Sequence, residues 1–120
     1  MQEATPPEIQ DGTLSIRILE QDSVCTLVLA GELDLANAAT LAAQLDERAA
    51  AELVLDMSEL EFIDSTGIAL LVATHHRLNC NGAVGFRLIG SKNPAVQRVM
   101  ALTGLESELP SGDSREMPQA

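Results

Sequence analysis

Between Phe62 and Gly67 the sequence changes period: a strand-like run ends, and apolar residues at helical spacing begin directly after it. A chain that passes from strand to helix through Asp64-Ser65-Thr66-Gly67 is committed to an alternating architecture. Upstream, Leu14, Ile16 and Ile18 alternate with Ser15, Arg17 and Leu19, and Val24 to Leu29 is a second β-rich run. The residues Glu20-Gln21-Asp22-Ser23 between them predict an antiparallel hairpin. Ala38, Leu41, Ala42, Leu45 and Ala49 then recur at helical spacing, and Leu53-Val54-Leu55 is short and apolar enough for a buried strand.

After the 62–67 turn, Ile68, Leu71, Val72, His75 and Leu78 mark one face of a second helix, ended by Asn81-Gly82. Val84 to Ile89 reads as a fourth strand. Asn93-Pro94 opens a third helix with the stripe Val96, Val99 and Met100, and Gly104 stops it. An initial hairpin followed by alternating strands and helices predicts an α/β fold: a small mixed β-sheet, antiparallel at its N-terminal hairpin and parallel beyond, packed with helices through right-handed crossovers.

The 120 residues suffice for one domain with its own core and are too few for two. Hydrophobic residues make up 46% of the chain but aromatic ones only 2%, Phe62 and Phe86 alone, so the core must be aliphatic. The polar ends at 1–12 and 110–120 are expected to be disordered, the second as an acidic tail, leaving the domain at 13–109.

Eighteen acidic residues against seven basic ones give a net charge of −11, which excludes nucleic acid and anionic membrane surfaces as natural partners. A basic protein surface would instead be steered toward the chain. Met1 to Gly12 has no signal-peptide character and no stretch approaches a membrane span, so the expected location is cytoplasmic. Cys25 and Cys80 have no C-x-x-C spacing and read as free thiols.

Enzymatic constellations are absent. His75 and His76 point about 100° apart on a helix and cannot both bind one metal as an i, i+4 pair would, so no metal site is expected. Ser65 lacks a G-x-S-x-G setting. The scattered glycines form no phosphate loop, and no cofactor is implied.

The helix start at Asp64-Ser65-Thr66 offers different chemistry. Its first N–H groups lack intrahelical partners and the helix dipole makes that end electropositive, so a phosphate on Ser65 or Thr66 would be well housed. A plain N-cap role would equally account for Ser65. In a second turn, Gly31-Glu32-Leu33-Asp34, Asp34 can cap orphan N–H groups of the first helix. If the strands before both turns end at one sheet edge, Asp34 and Ser65 share a surface.

Taken as an ordered series, Gly31-Glu32-Leu33-Asp34, Asp56, Phe62-Ile63-Asp64-Ser65-Thr66-Gly67-Ile68, Asn93-Pro94 and Leu102-Thr103-Gly104-Leu105 resemble the STAS domain family, and more closely its bacterial anti-sigma factor antagonists. The resemblance covers about residues 13–109. It implies a switch protein with no enzymatic activity of its own. Unphosphorylated, such an antagonist captures an anti-sigma factor that is itself an ATP-binding serine kinase; phosphorylation releases it, and a serine/threonine phosphatase resets the cycle. The acceptor hydroxyl of the family motif falls on Ser65, with Asp34, Asp64, Thr66 and Gly67 at the partner surface. Ala69 departs from the second glycine that relatives often carry and makes the second helix stiffer. A different role within the same family is that of a fixed scaffold subunit in a lipid-transport or stress-signalling complex, where the same turn binds a partner without phosphate turnover.

Overall fold

The computed structural model of the protein describes residues 7–47, 52–81 and 85–103, the side chains of 79–81 excepted. Its elements run β1 (Glu8–Asp11), β2 (Leu14–Gln21), β3 (Val24–Leu33), α1 (Ala38–Glu47), β4 (Glu52–Ile63), α2 (Ser65–Asn81), β5 (Gly85–Ile89) and α3 (Pro94–Ala101). The strands form one sheet in sequential order, with β1–β2 and β2–β3 antiparallel and β3–β4 and β4–β5 parallel. This is the mixed α/β architecture expected from the alternating periods. Both parallel crossovers step the same way across the sheet, so right-handed connections lay α1 and α2 on one face. The core agrees: Leu41, Leu45, Leu71 and Leu78 from these helices join Leu27, Leu29, Leu53, Leu55 and Leu88 from the strands in a single aliphatic cluster.

Part of the segment expected to be disordered is a strand. Glu8–Asp11 pairs with β2 through a two-residue loop, Gly12-Thr13, in which Gly12 takes a φ of 62°. The fold-back sets Ile9 opposite Ile16 and against the core, while the Thr40 hydroxyl donates to Asp11 Oδ2 at 2.5 Å and ties β1 to α1. A lone apolar residue in four gives no visible alternation, which hid this edge strand. The domain therefore begins before residue 13. The expected tail at 110–120, Met1 to Pro6, Ala49, Gly82, Val84 and Gly104 lie outside the described residues.

β4 is far longer than Leu53-Val54-Leu55 alone suggested. Val28 pairs with Asp56, Ala30 with Glu59, Gly31 with Leu60 and Glu32 with Phe62, so β4 carries two more residues than β3 over this span. Each extra residue is a bulge that reverses which side chains face inward. Met57, Leu60 and Ile63 are consequently all buried at a spacing of three, a pattern no regular strand would produce.

On α2, Gly67, Leu71, Thr74 and Leu78 face inward, with Ile68 and His75 at the margin. Val72, expected in the apolar stripe, is instead 40% exposed. Asn93 caps α3 by accepting the Ala95 N–H at 2.8 Å, with Pro94 in the first turn as the sequence predicted. Cys25 is buried within β3, and the side chain of Cys80 lies outside the described set.

Gly31 is not the start of a turn. It is a residue within β3, opposite the irregular part of β4, with a φ of 96°, and a Cβ built on it would stand 1.9 Å from the Thr13 carbonyl oxygen. Only glycine lets β3 pass that close to the first hairpin. Gly31→Ala combines a disfavoured φ with a backbone clash and should destabilise the fold by about 2–4 kcal/mol. Urea denaturation checks this, as a fall in midpoint with an unchanged m-value.

Candidate functional site

Leu33 and Ile63 are paired neighbours at the ends of two parallel strands, so the chain leaves β3 and β4 side by side at the carboxyl rim of the sheet. The Asp64 N–H donates to the Leu33 carbonyl at 3.1 Å, continuing the ladder one step past the last pair. From there the two turns diverge into α1 and α2.

Asp64 is the residue that organises this rim. Its Oδ1 accepts the Gly67 N–H at 3.0 Å, and its own carbonyl accepts the Ile68 N–H at 3.0 Å. This is N-cap geometry, with Ser65, Thr66 and Gly67 as the first three residues of the helix. The cap is therefore Asp64, and the simple reading of Ser65 as the N-cap does not hold. Oδ2 of Asp64 accepts the Leu35 N–H at 3.0 Å, joining the turn after β4 to the turn after β3. The surface shared by Asp34 and Ser65, expected from a common sheet edge, is realised through this bond.

Because the cap is satisfied by Asp64, the Ser65 hydroxyl has no structural duty there, and the residue is exposed. Thr66 is half-buried. Gly67, expected among the partner-contacting residues, is buried instead. A Cβ at this position would lie 2.8 Å from Ile63 Cγ1 and 2.9 Å from Leu33 Cγ, so glycine serves to bring α2 down onto the ends of β3 and β4.

Asp34 caps the turn that leads into α1: its Oδ1 accepts the Ala36 N–H at 3.0 Å and its carbonyl accepts the N–H groups of Asn37 and of Ala38, the first residue of the helix. Asn37, only 2% exposed, locks the turn from within. Its Oδ1 accepts the Asp34 N–H at 2.9 Å and its Nδ2 donates to the Glu32 carbonyl at 3.0 Å.

Three apolar side chains of these elements are exposed, Leu35, Phe62 and Val72. Leu35 is 75% exposed at the tip of its turn and Phe62 is 47% exposed on β4. Val72 shares an exposed stripe of α2 with Ser65, Ala69 and His76, at helical spacing. Leu35 had a signal, an apolar residue set between Asp34 and Ala36 in a turn. Phe62 lies beyond both bulges, on the face opposite that of its buried neighbour Ile63. Neither segment, 31–47 or 61–76, contains a Lys or Arg, so Glu32, Asp34, Glu61 and Asp64 dominate the rim's charge.

His75 is half-buried with its ring edge-on to Phe86 at 6.3 Å, and His76 is exposed. Among the described residues no group of three or more His, Cys, Asp or Glu side chains is placed to hold a metal. No described helix is long and apolar enough to cross a membrane. What the rim offers is an exposed hydroxyl at an electropositive helix start, among carboxylates and exposed apolar groups.

Comparison with known proteins gives this surface a context. Residues 15–116 match the sequence model of the STAS domain. The anti-sigma-F factor antagonist RsfB of Mycobacterium tuberculosis is 30% identical over 97 residues, spanning 78% of this chain and 77% of that protein. The anti-sigma F factor antagonist of Paenibacillus polymyxa is 29% identical over 105 residues, spanning 84% and 88%. A crystal structure of an anti-sigma factor antagonist from Mycobacterium paratuberculosis is similar with a TM-score of 0.71 at 29% identity, covering 82% of this chain and 84% of that one.

The packing at Gly67 gives a test of sign. Alanine is the better helix former by about 1 kcal/mol, but overpacking against Leu33 and Ile63 costs about 1–3 kcal/mol. Gly67→Ala should therefore destabilise, whereas exchanging the exposed Ala69 for glycine should cost only the propensity difference. Thermal melts of the two variants distinguish packing from propensity.

Proposed function

Given that the chain belongs to the STAS domain family, we propose that it is an anti-sigma factor antagonist whose binding is switched by phosphorylation of Ser65. The observation that supports this best is the exposed Ser65 side chain at the first residue of α2, left free of capping by Asp64. The unphosphorylated rim captures an anti-sigma factor that is an ATP-binding serine kinase. The Ser65 Oγ attacks the γ-phosphorus of the partner's ATP, a P–Oγ bond forms as the bond to the β–γ bridging oxygen breaks, the hydroxyl proton is lost, and ADP leaves. The chain is the substrate in this step and supplies no catalyst.

Phosphorylation adds about −1.5 to −2 charges. The helix start supplies N–H groups beyond those Asp64 takes and its dipole favours an anion, so the modified chain stays folded. Asp34 and Asp64 stand nearby, and burying the dianion in an interface is costly. A penalty of about 3 kcal/mol weakens binding about a hundredfold. A serine/threonine phosphatase then restores the hydroxyl, water taking up the phosphoryl group. The cycle places the chain in the cytoplasm with its kinase.

Incubation with an anti-sigma factor kinase from the same genome and ATP, followed by mass spectrometry, should put one phosphate on Ser65 and none on the half-buried Thr66. Ser65→Ala should abolish incorporation while keeping capture, and the phosphorylated chain should bind about a hundredfold more weakly. Equal capture of all forms, with no phosphate on any residue, overturns the switch and favours a fixed scaffold subunit.

A further inference from the structure

We propose that Asp64 does not contact the partner but is a positioning residue, and that what it positions is Leu35, the apolar anchor of the docking surface; the claim rests on the antagonist reading above and names the side chains by which that surface works. Both Asp64 oxygens are spent within the chain, Oδ1 on the Gly67 N–H and Oδ2 on the Leu35 N–H, each at 3.0 Å. These two bonds orient a half-buried carboxylate toward the chain itself and account for one lone pair of each oxygen.

The Leu35 turn is rigidified to an extent its exposure does not explain. Every backbone N–H from Asp34 to Asn37 has an acceptor: Asn37 Oδ1 for Asp34, Asp64 Oδ2 for Leu35, Asp34 Oδ1 for Ala36 and the Asp34 carbonyl for Asn37. Three of these bonds are made within the turn. The fourth reaches 29 residues along the chain and fixes the turn relative to Ser65. At the tip of this preorganised turn stands a leucine that is 75% exposed. An apolar side chain exposed on a fixed backbone gains little for the fold, whereas a partner that buries it gains the transfer term without having to order the turn that carries it.

The occupant is the anti-sigma factor kinase, through an apolar pocket with a basic rim. Leu35 supplies the apolar contact, and Glu32 and Asp34 flank it in a stretch without any Lys or Arg. Ser65 is held in register with the same anchor, so docking Leu35 would present its hydroxyl at a set place on the kinase.

The test separates capping from positioning. Asp64→Ser retains one acceptor for the Gly67 N–H, serine being among the best N-caps, but lacks the second oxygen that Leu35 uses. Asp64→Asn retains one oxygen and presents an NH2 group to whichever N–H is left, and it serves if the serine variant loosens α2. Amide exchange measured by NMR should quicken at Leu35 by about tenfold or more while Gly67 stays protected. Unchanged exchange at Leu35 overturns the positioning role.

Affinity for the kinase that captures the unaltered chain supplies the second readout. Leu35→Ala should weaken capture by about thirtyfold and Asp64→Ser by about tenfold. The double variant should be no weaker than Leu35→Ala alone, since Asp64 acts through Leu35. Losses that multiply, or capture unaffected by Leu35→Ala, overturn the proposal. If no such kinase captures the unaltered chain, the antagonist reading fails, and the exchange result alone upholds or overturns the positioning of Leu35 by Asp64.

Discussion

The parallel pairing of β3 with β4 is the constraint from which the rest of the rim follows. These strands would have to end together for their turns to meet, yet β4 carries two more residues than β3 between Asp56 and Phe62. The bulges absorb that excess without breaking the ladder, and they let Met57, Leu60 and Ile63 all reach the core. Leu33 and Ile63 then finish as direct neighbours, and Asp64 is delivered within hydrogen-bond reach of Leu35. Between the two bulges the facing is reversed, which is what turns Leu60 inward; beyond the second it is restored, and Ile63 faces inward like Leu55 and Met57.

A core of Leu, Ile, Val and Met, with Phe86 as its one aromatic member, gives few large rigid shapes to define helix position. Close approach does that instead. Gly31 brings β3 against the first hairpin, and Gly67 seats α2 on Leu33 and Ile63 at distances no other residue could occupy without displacement. Both glycines lie within a few residues of the rim, so the geometry there is set by missing side chains as much as by those present. The rim owes its close packing to backbone set against backbone at Gly31 and against the Leu33 and Ile63 side chains at Gly67.

What was legible in the sequence is what obeys a regular period. The hairpin of β2 and β3, the helices and the strand-to-helix change at Asp64 follow from alternation, helical spacing and cap chemistry, whereas a common edge for Asp34 and Ser65 followed only on the condition that β3 and β4 end together, which their pairing supplies. β1 was hidden because one apolar residue in four makes no pattern. Most of β4 was hidden because its bulges turn a strand period of two into burial every third residue, which resembles helical spacing. The same irregularity concealed the inward direction of Leu60. The division of labour at the turn was also unreadable: Asp64 and Ser65 are both good caps, and only the bonds to Gly67 and Leu35 show which of them is engaged.

Under the proposed switch, that division would let a single modification act without refolding the domain. If Ser65 were the cap, a phosphate would remove the helix's first satisfied N–H and loosen α2; with Asp64 in that role, the hydroxyl is dispensable to the fold. A phosphate there also has no basic side chain in the segments 31–47 and 61–76 to draw it inward. Phosphate groups order new structure where Arg or Lys residues wait to pair with them, and where carboxylates surround them they repel. On this rim the added charge would stand among Glu32, Asp34, Glu61 and Asp64, outward and unneutralised, so its effect would fall on whatever protein must cover it. An acidic surface is thus suited to release: it supplies attraction toward a basic partner before modification and leaves the phosphate nowhere to hide after it.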